Sequence, residues 1–194
     1  MEAFTFYFPF GWEHIISRDA LDHQLFLLAL LAWYGWKDWK TILILVTAFT
    51  VGHSLTLLLS VGDWVQVDSK WVEFFIPLTI VLTAGRNLIT KPIASQQLYQ
   101  SYALALFFGL IHGLGFANTI RMMLAEDQQL GWGLLGFNCG LEVGQLTIVG
   151  GLVGITFLIT EKMKASTSVY SYLLSSLALG IAASICYNRF PLSF

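Results

Sequence analysis

The sequence predicts an all-α fold, a polytopic transmembrane helical bundle of about six spans, and three observations carry that reading. Only 11% of the residues are charged, against about 25% in soluble domains. The mean hydropathy is +0.69. Apolar stretches long enough to cross a bilayer recur along the chain between short polar turns. The lipid bilayer is therefore the first expected partner. A formal net charge of −2 and the lack of any basic run give no ground for nucleic-acid binding. Cys139 and Cys186 both lie in apolar stretches, so no disulfide framework is expected. Met1 to Phe10 holds Glu2 but no Lys or Arg, unlike the start of a cleavable signal peptide. Residues 1–194 read as a single integral membrane domain.

Residues 1–20 are aromatic and acidic, with Pro9-Phe10-Gly11 as an expected break. This stretch is expected to be interfacial, its aromatics at headgroup level. The first span is expected near 21–36, short and closed by Trp33, Tyr34 and Trp36. A turn at Lys37-Asp38-Trp39-Lys40 leads to the second, near 41–61, which contains His53. The third, near 71–88, contains Pro77, a residue that membrane helices tolerate. A polar connection from Lys91 to Gln100 precedes the fourth, near 101–123, which carries His112. The acidic loop Glu126-Asp127-Gln128-Gln129 precedes the fifth, near 131–160, and the sixth lies near 169–187.

Six spans put both termini on one side. That side holds Arg18, Lys70, Arg121 and Arg189, and the other holds Lys37, Lys40, Arg86, Lys91, Lys162 and Lys164. Basic residues favour the cytoplasmic side, so the termini are expected in the periplasm of a bacterial inner membrane. Most acids fall with the termini, and an acidic outer mouth attracts cations.

The chemistry lies inside the membrane. His112 sits in Phe108-Gly-Leu-Ile-His112-Gly-Leu-Gly-Phe-Ala117, where three glycines let a neighbouring helix come close. Gly136, Gly140 and Gly144 form a second close-packing stripe, continued in the same sector by Gly151 and Gly154. Asn138, Glu142 and Gln145 lie on roughly the opposite face of that helix. A lone carboxylate within a span costs roughly 3 kcal/mol, and such acids mark function. Thr50, His53, Thr56 and Ser60 line one side of the second span. Asp22-His23 opens the first span, where Asp22 can also serve the helix N-terminus. His53 and His112 are on spans that run the same way and fall at nearly one depth, so they are expected to share one buried site. Mixed imidazole and carboxylate donors suit nickel, zinc, iron or manganese, and spacing does not choose among them.

Four ordered motifs carry a family resemblance. They are Asp22-His23-x-Leu-Phe-Leu-Leu-Ala-Leu, Thr47-Ala-Phe-Thr-x-x-His53-Ser54-x-Thr-Leu, Phe108-Gly-Leu-x-His112-Gly-Leu-Gly-Phe-Ala and Gly136-Phe-Asn138-x-Gly-x-Glu142-x-Gly-Gln145-Leu. From about Gly11 to Tyr187 the chain resembles the HupE/UreJ family of small bacterial membrane proteins, which is associated with nickel or cobalt uptake for hydrogenase and urease. The resemblance implies a metal permease or metallocentre accessory protein. It also implies a divalent transition metal ion (Ni, Co or Zn) at Asp22, His23, His53, His112 and Glu142. Asn138, Gln145, Ser54 and His14 are the polar groups around them. The family usually has a His-Ile-x-x-Gly-x-Asp-His run, whereas a longer stretch without glycine parts His14 from Asp22 here. Arg86 stands where an acid is expected. The rival reading is an intramembrane zinc hydrolase built on the same histidines and Asp22, with Ser54 alongside. A metal-holding accessory protein is the third. A homo-oligomer is left open by the sequence.

Orientation can be checked directly. In a chain with Cys139 and Cys186 replaced, Glu2→Cys should react with an impermeant thiol reagent in intact cells and Ser166→Cys should not. The opposite pattern reverses the topology.

Overall fold

The computed structural model describes residues 1–90, 96–124 and 130–191, with the side chains of residues 96–98, 118, 121 and 124 left aside. The Lys91 end of the polar connection and the Glu126–Gln129 loop lie outside the described residues. The described chain is a bundle of seven α-helices without strands: α1 (Glu2–Ile16), α2 (Leu21–Leu31), α3 (Trp39–Val61), α4 (Ser69–Ile89), α5 (Gln96–Leu124), α6 (Leu130–Phe157) and α7 (Thr167–Asn188). The segments Trp36–Val61, Ser69–Ile89, Tyr99–Ala117, Leu130–Lys162 and Thr167–Asn188 are long and apolar enough to cross a membrane. They match the second to sixth expected spans, with ends shifted by a few residues.

The N-terminal stretch differs from expectation. Pro9 lies inside α1, and Pro9-Phe10-Gly11 does not break it. A helix holding a membrane proline keeps its course when a neighbour supports it, and here α6 does. A methyl group on Gly136 would overlap Phe4, one on Gly140 the Phe8 carbonyl, and one on Gly144 would crowd Trp12 and Ile15. These contacts climb both helices in the same order, so α1 runs parallel to α6. Gly11 makes the reciprocal approach to Phe137 and Leu141. The glycine stripe thus has α1 as its partner as far as Gly144, while Gly151 and Gly154 face open space.

The expected first span is also shorter than its sequence suggests. At eleven residues α2 is only about 16 Å long. It continues the direction of α1, however. Beyond its end, Trp36 meets Phe157 near the far end of α6, and Asn87 Nδ2 donates to Ala29 O near the end of α4. One crossing is therefore made by two half-helices, broken at Ser17, whose backbone is extended (φ −61, ψ 159). A break inside a bundle leaves carbonyl groups without helical partners. Gln24 answers them: its Nε2 donates to Ile15 O at 3.1 Å and Ser17 O at 2.9 Å.

Two apolar clusters fill the bundle. One gathers Tyr7, Ile15, Leu57, Ile120, Phe137 and Leu141, and the other Phe26, Leu45, Phe49, Ile80, Phe108 and Ala182. Helices α3 and α5, which contribute to both clusters, run parallel in backbone contact. A methyl on Gly109 would overlap the Phe49 carbonyl, and one on Gly113 would strike Thr56 and His53.

Gly140→Ala should cost about 1–3 kcal/mol, because the added methyl meets backbone that has no room to move. Gly150→Ala, with nothing within 4 Å of the new methyl, should be neutral or slightly stabilising. Thermal unfolding of the two purified variants in detergent reads the contrast.

Candidate metal centre

The break in the first crossing is where the histidines meet. His14 is on the last turn of α1, and Asp22 and His23 are on the first turn of α2. The glycine contacts of α5 on α3 bring His53 and His112 to the same region. The His14 and His23 ring centroids are 4.9 Å apart, His14 and His53 5.9 Å, His23 and His53 5.8 Å, and His23 and His112 5.0 Å. His53 and His112 are 0% exposed and His23 4%. Phenylalanines wall the group. The Phe116 ring is 4.1 Å from that of His14, and Phe49 lies 5.2 Å from His112 and 6.0 Å from both His23 and His53.

Hydrogen bonds fix which nitrogens are bare. His23 Nδ1 lies 2.9 Å from Asp22 Oδ1, which can only accept when ionised, so Nδ1 carries the proton. The same oxygen accepts from the His23 backbone N–H at 2.8 Å. In the neutral ring Nε2 is the lone-pair atom, and it is buried without a partner among the described residues. Thr79 Oγ1 donates to Ile76 O at 2.7 Å, so it accepts from His112 Nε2 at 3.3 Å. That leaves the lone pair on His112 Nδ1, also buried and unpartnered. Among the described residues neither nitrogen of His53 has a partner, nor does Nε2 of His14. A buried polar atom without a partner costs about 1–3 kcal/mol, so a group of them calls for an explanation.

Two imidazoles bound to one ion, each nitrogen about 2 Å from it, have ring centres roughly 5 Å apart in tetrahedral geometry. The four pairs of rings just given are on that scale. Their donor atoms do not point at one centre: among the described residues, no three His, Cys, Asp or Glu side chains are disposed to hold an ion as they stand. The arrangement is an assembly of rings that needs side-chain rotation to close on a common centre.

The remaining predicted residues have hydrogen-bond partners other than the rings. Glu142 Oε1 accepts from Thr47 Oγ1 at 2.7 Å, and Gln145 meets Thr50. Asn138 Nδ2 donates to Leu134 O on its own helix. Ser54 Oγ donates to Thr50 O, one turn back on α3. His14, whose spacing departs from the family's run, is in the ring assembly. Thr79 and the Phe49 and Phe116 walls do not stand out in the sequence. A threonine two residues after a membrane proline is the available signal for Thr79.

The family model described as HupE / UreJ protein matches residues 1–189. The chain belongs to the HupE/UreJ family. Comparison with curated proteins and with solved structures gives no match. Like the family to which it belongs, this HupE/UreJ chain is an integral membrane protein, and its five apolar helices suit the bilayer.

Thr79→Val should destabilise the protein by about 1–3 kcal/mol, because His112 Nε2–H loses its acceptor in a buried site. Thr83→Val removes only a hydroxyl bonded to Thr79 O on its own helix and should cost much less. Chemical or thermal denaturation in detergent, with both variants side by side, checks the difference.

Proposed function

We propose that this HupE/UreJ family member carries a divalent transition metal ion, nickel or cobalt, across a bacterial inner membrane, with the imidazoles of His23, His53 and His112 as its binding point. The ion is cargo. The observation that carries this reading is the set of bare, buried imidazole nitrogens gathered where the first crossing breaks. Neutral imidazole suits nickel, cobalt and zinc, and non-helical backbone at membrane depth belongs where it lines a site. Family membership supports nickel or cobalt over zinc. Asp22 orients His23 through Nδ1, the usual role of a carboxylate behind a metal-binding histidine, and His14 is close enough to add a fourth nitrogen. Rotation of the rings closes the set on the ion, and reopening releases it. Glu142, Gln145 and Asn138 hydrogen-bond to Thr47, Thr50 and Leu134 and do not serve as ligands in this reading. Periplasmic termini put Asp63 and Asp68, between α3 and α4, on the entrance side, where they concentrate cations.

A shared site has a definite signature in nickel equilibrium dialysis. His53→Ala and His112→Ala should each weaken binding at least about tenfold, with little further loss in the double variant. Independent, additive losses, or full occupancy in both single variants, would overturn the reading. Metal-dependent cleavage of lipid or peptide by the purified protein would replace transport with hydrolysis.

A further inference from the structure

One charged side chain on a membrane span has no part in the imidazole assembly. Arg86 is in the last turn of α4, about 4.5 Å along the axis from the helix end at Ile89. Its guanidinium stays charged and holds five N–H donors in a planar fork. Among the described residues one of these is used: Nη2 donates to Gln100 Oε1, a neutral amide oxygen, at 3.1 Å. The only ion pair among the described residues is that of His23 with Asp22, so no carboxylate balances Arg86. A cation on a membrane helix without a counter-charge calls for an anion.

Arg86 lines a cavity of about 310 Å³ between α2, α4 and α5. The cavity is graded along its length. Towards the helix ends its walls are Arg86, Asn87 and Thr90 at the end of α4 and Ser101 near the start of α5. One to two turns deeper they are Leu82, Leu104, Phe107 and Phe108. Thr83, at the same depth, gives its proton to Thr79 O. The back wall is fixed, because Asn87 Nδ2 donates to Ala29 O at 2.6 Å and Trp33 Nε1 donates to Asn87 O at 3.2 Å. Leu82 and Phe107 are 57% and 54% exposed, and both lie within apolar spans. What they are exposed to is lipid, so the cavity opens into the bilayer between α4 and α5.

A ligand that enters from the bilayer and balances a cation at the helix end is an anionic amphiphile. The guanidinium fork matches the oxygens of a phosphate, and a basic pocket between membrane helices at headgroup depth suits an anionic headgroup. The volume is at the small end of ligand cavities, about 300–1,000 Å³, so it takes a stretch of one acyl chain and not a whole lipid. We propose that this cavity holds one acyl chain of an anionic phospholipid whose phosphate lies on the Arg86 guanidinium. The site is distinct from the imidazole assembly and does not rest on the metal reading.

The test uses the purified full chain in neutral detergent, stripped of lipid. Dioleoylphosphatidylglycerol should raise the unfolding temperature saturably over dioleoylphosphatidylcholine at the same mole fraction, by about 4 °C at tenfold excess over Kd. Arg86→Gln should abolish this difference between lipids, which the ordinary help of a cation to a helix C-terminus does not create. Leu104→Trp, which fills the cavity and keeps the charge, should abolish it too, and Lys162→Gln, away from the cavity, should keep it. Native mass spectrometry of the wild-type protein, which needs no variant, should find one phosphatidylglycerol retained per chain under conditions that strip phosphatidylcholine. Sodium phosphate against sodium chloride of equal ionic strength should give no shift. A saturable shift with phosphate and none with the lipid assigns Arg86 to a free anion and overturns the proposal. Equal shifts with the two lipids, an undiminished difference in Arg86→Gln, or no retained phosphatidylglycerol overturns it as well.

Discussion

Backbone-to-backbone contact sets the geometry of this bundle. Gly109 and Gly113 bring α5 onto α3, and Gly136, Gly140 and Gly144 bring α1 onto α6. In lipid there is no hydrophobic force between helices, so close approach through small residues is a main source of adhesion. The same contacts fix the helices in register. His53 and Gly113 face each other because the α3–α5 seam has no side chain to slide on, and His112 is the next residue along. His14 sits where it does because α1 cannot shift along α6 without driving its carbonyls into the glycines' neighbours. Three of the four imidazoles are thus positioned by residues that have no side chains of their own.

The fourth is positioned by a break. His23 follows the interruption at Ser17 that splits the first crossing, and Asp22 turns its ring. A bundle that interrupts a helix must satisfy the exposed carbonyls from within. Gln24 does so with one amide group, reaching Ile15 and Ser17 together. The contrast with the imidazoles is informative. At the break the exposed carbonyls have a partner in Gln24. Where the rings meet, several nitrogens have none.

Much of this is legible in the sequence, for identifiable reasons. Five spans are readable because length and hydropathy are one-dimensional properties. The Gly136–Gly144 stripe is readable because helical periodicity puts it on one face, although its partner is not. The first crossing is misread from sequence because Pro9 and Gly11 look like punctuation, and only a supporting neighbour tells a kept helix from a broken one. That His14 belongs with His23 is hidden for the same reason: their relation depends on the angle of the chain at Ser17. Glu142 shows the limit of depth arguments. Its position along α6 overlaps that of the histidines, yet it meets Thr47, since depth says nothing about which neighbour a face turns to.

The two halves of the first crossing have different allegiances. The first is held along its length by α6, whereas the second packs on α4 and α7 and touches α6 only lightly. Four residues join them, Ser17 among them in extended backbone. His14 belongs to one half and His23 to the other. Any rocking of α6 against the α4–α7 pair must therefore appear as a change in the distance between these two rings. Helix motion and donor geometry are mechanically geared to each other at this one joint.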